Sequence, residues 1–89
     1  FPGAAGYATA KAAVTAFAGA VAVEYKKQGV RANTVLPSVI DTPANRAAMP
    51  DADVSRWVTP EEIAGVIAFL VSDASAPTSG ASIPVYGRA

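Results

Sequence analysis

At 89 residues the chain has the size of one small domain, and with 52% hydrophobic against 16% charged residues it is too apolar for a disordered tail. Its 7 basic and 7 acidic side chains cancel, so charge gives no reason to expect nucleic acid or an anionic membrane as a partner. Cysteine and histidine are absent, which excludes disulfides and thiolate metal sites and removes the usual neutral-pH base. Any proton transfer falls to tyrosine, lysine or a carboxylate.

Pro2 and Gly3 mark an opening loop. Residues 5–28 contain no proline and are dominated by alanine, which favours helix. Tyr25, Lys26, Lys27 and Gln28 close that helix, and Gly29 is placed to terminate it. Residues 30–36, VRANTVL, are short and rich in β-branched side chains and read as a strand. Pro37, Pro43 and Pro50 punctuate a long loop, with a helical turn expected near residues 44–48. Thr59 as N-cap, Pro60 at the first helical position and Glu62 in a T-x-x-E capping box then open a helix running to about Ser72. Ile63, Val66, Ile67 and Leu70 recur at helical spacing as its buried stripe. SDASAPTSG is a loop, and residues 82–86 form a final strand whose Pro84 argues for a place near a sheet edge.

The order helix, strand, helix, strand makes this an α/β chain, with a parallel strand pair joined by a right-handed helical crossover. Two strands are too few for an independent sheet. The first helix is apolar almost all round, and small residues such as Ala12, Ala16 and Ala20 would let another helix approach closely. The chain is therefore expected to pack against something it lacks, either as a homo-oligomer or against a missing N-terminal half. It begins at Phe1 and its single methionine is Met49, so a fragment, a processed product or an incomplete record of a longer protein is expected. No signal peptide is visible, because no basic segment precedes the first apolar run; a cytoplasmic location is the expectation. Residues 12–23 are too short and too weakly apolar for a membrane span.

Tyr7 and Lys11, in YATAK, fall one helical turn apart on one face. A phenol ionises near ~10 and is a poor base at neutral pH; bringing one to about 7 takes roughly 4 kcal/mol of differential stabilisation. A single exposed ammonium does not supply this, whereas a partly desolvated one beside a cationic cofactor can. A tyrosine so placed gives a proton to a carbonyl oxygen or takes one from an alcohol. Taken alone, most such pairs are a core-edge tyrosine beside a solvated lysine.

The wider pattern adds to this. YATAKAAV followed by GVRANTVLPSVIDTP resembles the short-chain dehydrogenase/reductase family. That family carries a Y-x-x-x-K helix, a strand reading roughly N-x-V-x-P-G, and a threonine four residues after the glycine. Tyr7 and Lys11 match the first element, Asn33, Val35 and Pro37 the second, and Thr42 the third. TPEEIAGVIAFLVSDAS and SGASIPVYG are similar to the family's last helix and strand, so the resemblance covers nearly the whole chain in order. It implies that residues 1–89 are the C-terminal part of one Rossmann-like domain with a doubly wound parallel sheet. It implies NAD or NADP as cofactor and a small-molecule carbonyl or alcohol as substrate, interconverted by hydride transfer. Tyr7 would be the catalytic acid/base, and Lys11 would assist it and hold the nicotinamide ribose. Residues 37–42 would line the nicotinamide, with Pro37 in that wall, Ile40 offering backbone groups to the carboxamide and Thr42 a hydroxyl. Thr42 and Pro37 are also ordinary turn residues, and Asn33 reads alternatively as a structural side chain bonding local backbone. The loop over residues 43–58 would form part of the substrate pocket, where Trp57, Met49 and Val54 would either present an apolar wall or pack as core, and packing is the expectation.

Three positions depart from the family's pattern. Ser38 stands where glycine is usual, which is unfavourable if the site needs positive φ or a close cofactor approach. Tyr86 and Arg88 replace an acidic residue and a second glycine. The family's glycine-rich nucleotide loop, ribose selector, catalytic serine and active-site asparagine precede its tyrosine, and GAAG is no substitute because no strand leads into it. Two functions follow: part of an NAD(P)-dependent oxidoreductase, inactive as these residues alone, or a non-catalytic packing module derived from one.

Overall fold

The computed structural model describes residues 3–89; Pro2, half of the expected opening loop, lies outside the described residues. Five regular elements follow in order: α1 (Ala5–Glu24), β1 (Thr34–Pro37), α2 (Pro43–Ala48), α3 (Pro60–Leu70) and β2 (Ser82–Val85), with single 3-10 turns at Lys26–Gln28, Val54–Arg56 and Asp73–Ser75. The two strands pair in a parallel two-stranded sheet of order β1-β2. The chain divides into two compact units, Phe1–Thr34 with Pro77–Ser82, and Val35–Ala76 with Ile83–Ala89.

In the first unit, α1 stops at Glu24 rather than running to residue 28. The chain tightens into the Lys26–Gln28 turn, and Gly29, at φ 77°, closes it with its N–H on the Lys26 carbonyl (3.1 Å). A left-handed residue favours glycine there because it carries no Cβ. The helix buries one residue, Ala22, and leaves Phe17 at 71% and Val23 at 79% exposure. At 20 residues it is about 30 Å long, and by length and composition alone it is long and apolar enough to cross a membrane. The core helix of a soluble protein passes the same test.

β1 is shorter than the expected strand because the residues before Thr34 make different bonds. The Ala32 N–H donates to Ser79 Oγ (3.2 Å), and Arg31 Nη1 donates to the Thr78 carbonyl (3.0 Å). Asn33 Nδ2 shares that carbonyl (3.2 Å), while Asn33 Oδ1 accepts the Ala81 N–H (3.0 Å). Asn33 is thus structural, but its partners lie 45 and 48 residues along the chain rather than locally. A ladder bond, Thr34 N–H to Ala81 carbonyl (2.8 Å), follows directly.

The second unit is organised around Trp57 and Val58, both buried, Val58 to 1%. Val58 pairs in parallel with Ile40: its N–H donates to Val39 (3.2 Å), and its carbonyl accepts from Asp41 N–H (2.8 Å). Helix α3 opens with the expected capping box, Thr59 Oγ1 accepting the Glu62 N–H (3.1 Å) and Glu62 Oε1 the Thr59 N–H (2.9 Å). Its inward stripe is narrower than its apolar spacing suggests. Leu70 is buried, Ile63 and Val66 are half-buried, and Ile67 is 46% exposed. The helix ends at Leu70, where the buried Ser75 hydroxyl reaches the Leu70 carbonyl (2.8 Å) and the Ser72 carbonyl (3.1 Å).

Candidate active site

Tyr7 sits in the first turn of α1, in the first unit, and Lys11 one turn further on. The uninterrupted helix brings the two together: Lys11 Nζ lies 5.4 Å from the Tyr7 ring centroid. That is within range of an ammonium–ring attraction. Tyr7 is 65% exposed and Lys11 is also exposed, so phenol and ammonium are both open to solvent. An exposed phenol can present its hydroxyl to a small molecule, and an exposed ammonium offers three donors to sugar hydroxyls.

Pro37, Ile40 and Thr42 belong to the second unit. Pro37 ends β1 and is exposed. Ile40 is half-buried in the bridge to Val58. Thr42 is the N-cap of α2: its backbone is extended, its Oγ1 accepts the Asn45 N–H (3.1 Å), and Pro43 follows at the first helical position. The same asparagine turns back and donates Nδ2 to the Ile40 carbonyl (2.8 Å). Asn45 therefore ties together Ile40 and Thr42. Sequence reasoning passed over it, although Thr42–Pro43 repeats the Thr59–Pro60 helix-start signature seventeen residues ahead of it. Asp41, between them, takes a two-point contact from Arg46, Nε to Oδ1 (2.6 Å) and Nη2 to Oδ2 (2.9 Å). The Arg46 hydrogen bond comes first in holding the Asp41 carboxyl below the usual carboxylate range.

Ser38 resolves one expectation. Among the described residues no residue other than glycine has positive φ, so Ser38 occupies an ordinary backbone conformation. Its hydroxyl donates to the Tyr86 carbonyl (2.7 Å), which joins two of the departures from the family's pattern in one bond.

A cleft of about 340 Å³ opens in this unit, lined among others by Asp41, Arg46, Val54, Trp57, Glu62 and Arg88. Trp57 is buried and Val54 half-buried, as core packing requires, and both also face this cleft. Met49 is exposed and does not join the core.

Within the second unit, Thr42 offers a hydroxyl beside the Ile40 backbone. Thr42 Oγ1 accepts one backbone N–H, and a hydroxyl retains a proton to donate.

The sequence profile of a family described as enoyl-(acyl carrier protein) reductase matches residues 1–87. The 3-oxoacyl-(acyl-carrier-protein) reductase MabA of Mycobacterium tuberculosis is 42% identical over 91 residues, covering 93% of this chain and 37% of that protein. The acetoacetyl-CoA reductase of Allochromatium vinosum is 38% identical over 93 residues, covering 96% and 38%. Among solved structures, a short-chain type dehydrogenase/reductase from Mycobacterium ulcerans superposes with a TM-score of 0.83 at 30% identity, over 91% of this chain and 33% of that one. 4-hydroxyisoleucine dehydrogenase complexed with NADH gives a TM-score of 0.75 at 27% identity, over 91% and 36%. The chain spans little more than a third of the length of these curated relatives.

Proposed function

Because the chain belongs to the short-chain dehydrogenase/reductase family, we propose that it is the C-terminal part of a single Rossmann-like NAD(P)-dependent domain that interconverts a carbonyl and an alcohol. The single observation that carries this reading is the Tyr7–Lys11 pair, held on one face of α1 with the ammonium 5.4 Å from the ring. MabA and acetoacetyl-CoA reductase are both named as reductases. The similarity to 4-hydroxyisoleucine dehydrogenase, solved with NADH, supports a nicotinamide cofactor.

In the direction of reduction, Tyr7 Oη gives its proton to the substrate oxygen: the phenol O–H bond breaks and the alcohol O–H bond forms. The Lys11 charge opposes the negative charge left on the phenolate. Lys11 would also hold the ribose hydroxyls of the cofactor, and Pro37, the Ile40 backbone and the Thr42 hydroxyl would hold its carboxamide. The chemistry a reduced nicotinamide would supply when bound there is a hydride for the carbonyl carbon. The loop over residues 43–58 borders a small-molecule substrate, in a protein we place in the cytoplasm without nucleic-acid or membrane partners.

These 89 residues contain no glycine-rich pyrophosphate loop, so by themselves they are expected not to turn over NADH or NADPH. A second reading, a non-catalytic packing or oligomerisation module, is favoured by the exposed apolar side chains of α1, Val14, Phe17 and Val23.

The test uses the longest native protein that carries this chain. Its oxidation of NADH or NADPH is followed with a panel of ketones and 3-oxoacyl thioesters. Turnover that falls at least about 100-fold in Tyr7→Phe, with unchanged circular dichroism, supports the enzyme reading. Turnover indifferent to Tyr7, or no nicotinamide binding at all, defeats it.

A further inference from the structure

We infer that the C-terminal tail is a strap that positions residues 38–41 through Ser38. This rests on the reading of Pro37, Ile40 and Thr42 as the nicotinamide-facing segment. Three features of the second unit converge on the tail. First, Ser38 Oγ donates to the Tyr86 carbonyl at 2.7 Å, a direct bond between the candidate cofactor segment and the tail. Second, the next residue, Gly87, has φ 64°, and a Cβ there would stand 3.1 Å from the Arg56 carbonyl oxygen and 3.2 Å from both Trp57 C and Val58 N. The tail therefore lies close against the backbone of residues 56–58, where a side chain would push that backbone by a few tenths of an ångström and strain the positive φ. Third, the contact is paired beyond the glycine: the Arg88 N–H donates to the Arg56 carbonyl (3.0 Å), and Arg56 Nε donates to the Arg88 carbonyl (3.3 Å).

Residues 56–58 are also the partner of the candidate segment, through the Val58 N–H on Val39 and the Asp41 N–H on Val58. The tail thus holds residues 38–41 twice, directly at Ser38 and through Val58. The hydroxyl explains why this chain accommodates serine at a glycine position. Its backbone needs no positive φ, and its side chain supplies a bond that glycine cannot make. Ser38 is accordingly a positioning residue that acts through the tail, not a group that touches substrate.

The experiment compares Ser38→Ala, Ser38→Thr and Gly87→Val with the unaltered protein in its longest native form. Two readouts are taken: amide hydrogen exchange at Asp41 and Val58, and the Kd for NADH and NADPH. We expect Ser38→Ala to speed exchange at both amides by about two- to tenfold, the range of one hydrogen bond's net worth. The Kd should weaken by a similar factor, Ser38→Thr should restore both, and Gly87→Val should exceed Ser38→Ala in both. Unchanged exchange in Ser38→Ala overturns the strap. Faster exchange with an unchanged Kd in a protein that binds cofactor overturns the positioning role. If the unaltered protein binds neither nucleotide, the oxidoreductase reading fails and the positioning role fails with it, while the exchange data still decide whether the tail restrains residues 39–41.

Discussion

Lys11 Nζ stands 5.4 Å from the centre of the Tyr7 ring, one turn along the same helix. The contact needs only an unbroken helix between the two residues, and the alanine-rich, proline-free sequence provides it. If the ammonium serves both the phenol and the cofactor ribose, its point charge and its reach each matter. Lys11→Met in the longest native protein should lower kcat by at least about tenfold and weaken cofactor binding as well. Lys11→Arg should recover only part of either, because a planar fork does not replace a compact ammonium. Steady-state kinetics with a nucleotide titration check this; an unchanged kcat in Lys11→Met removes Lys11 from the mechanism.

The capping box of α3 should be measurable as a pair. Thr59→Ala removes the acceptor for the Glu62 N–H and should cost about 1 kcal/mol. Glu62→Ala should cost less, since the Thr59 N–H it leaves can turn to water. Urea midpoints of the two single variants and the double variant give the coupling. Strict additivity would mean that the two bonds do not act reciprocally.

Asn33 makes two bonds that no apolar side chain of its size can replace. Asn33→Leu should destabilise by about 1–3 kcal/mol, because it strands the Ala81 N–H in a half-buried setting. Asn33→Asp keeps that acceptor but sets a carboxylate oxygen against the Thr78 carbonyl, so it should also destabilise. Thermal denaturation of both variants decides; a neutral Asn33→Leu would show that water fully replaces the side chain.

Acid should loosen the start of α2. The folded Asp41 carboxyl is held below its ordinary value, first by the hydrogen bond from Arg46, with some opposition from desolvation and further help from the Arg46 charge. The unfolded chain lacks that partner and binds its proton at higher pH. The contribution is therefore fully present above the ordinary carboxylate value, near ~4, and is lost as pH falls through the lower folded one. Asp53 shifts in the same direction, chiefly through its hydrogen bond from Ser55. Carbon-13 titration of the Asp41 carboxyl should show a low midpoint that returns toward the ordinary value in Arg46→Ala. Equal midpoints in the two proteins would mean that the ion pair is not formed in solution.

Association is expected through α1, whose Val14, Phe17 and Val23 are exposed. Covering apolar surface favours contact by roughly 25 cal/mol per Å² before entropic costs. Sedimentation at micromolar concentration should show self-association or a tight complex with a covering segment, weakened by Phe17→Glu. A clean monomer with cooperative melting contradicts this.

Element types were legible where the signal was chemical and local. Thr59, Pro60 and Glu62 announced α3, and the alanine run announced α1. The order helix, strand, helix, strand carried the α/β class, which the parallel β1-β2 pair and the structural relatives support. What stayed hidden depended on distant partners. Asn33 looked local because nothing in its neighbours names Thr78 and Ala81. Ser38 looked unfavourable because its acceptor, the Tyr86 carbonyl, belongs to a backbone group that any sequence would supply. Ile67 follows the helical period yet is exposed, since spacing identifies a face and not how much material covers it. Asn45 could have been found from Thr42–Pro43, read by the rule that located Thr59–Pro60.

Helix α3 is fastened at both termini, by Thr59 and Glu62 at its start and by the buried Ser75 hydroxyl at its end. A helix closed in this way frays less readily into the several residues of extended chain that a protease cleft needs. Cutting within residues 59–75 must then wait for a larger opening of the segment. The exposed stretch around Met49 to Ala52, with the Met49 N–H on the Asn45 carbonyl (3.0 Å) and the Ala52 N–H on the Met49 carbonyl (3.2 Å), is the softer target. A limited digest should therefore nick the chain between α2 and the Val54–Arg56 turn, leaving α3 on the same fragment as β2 and the tail.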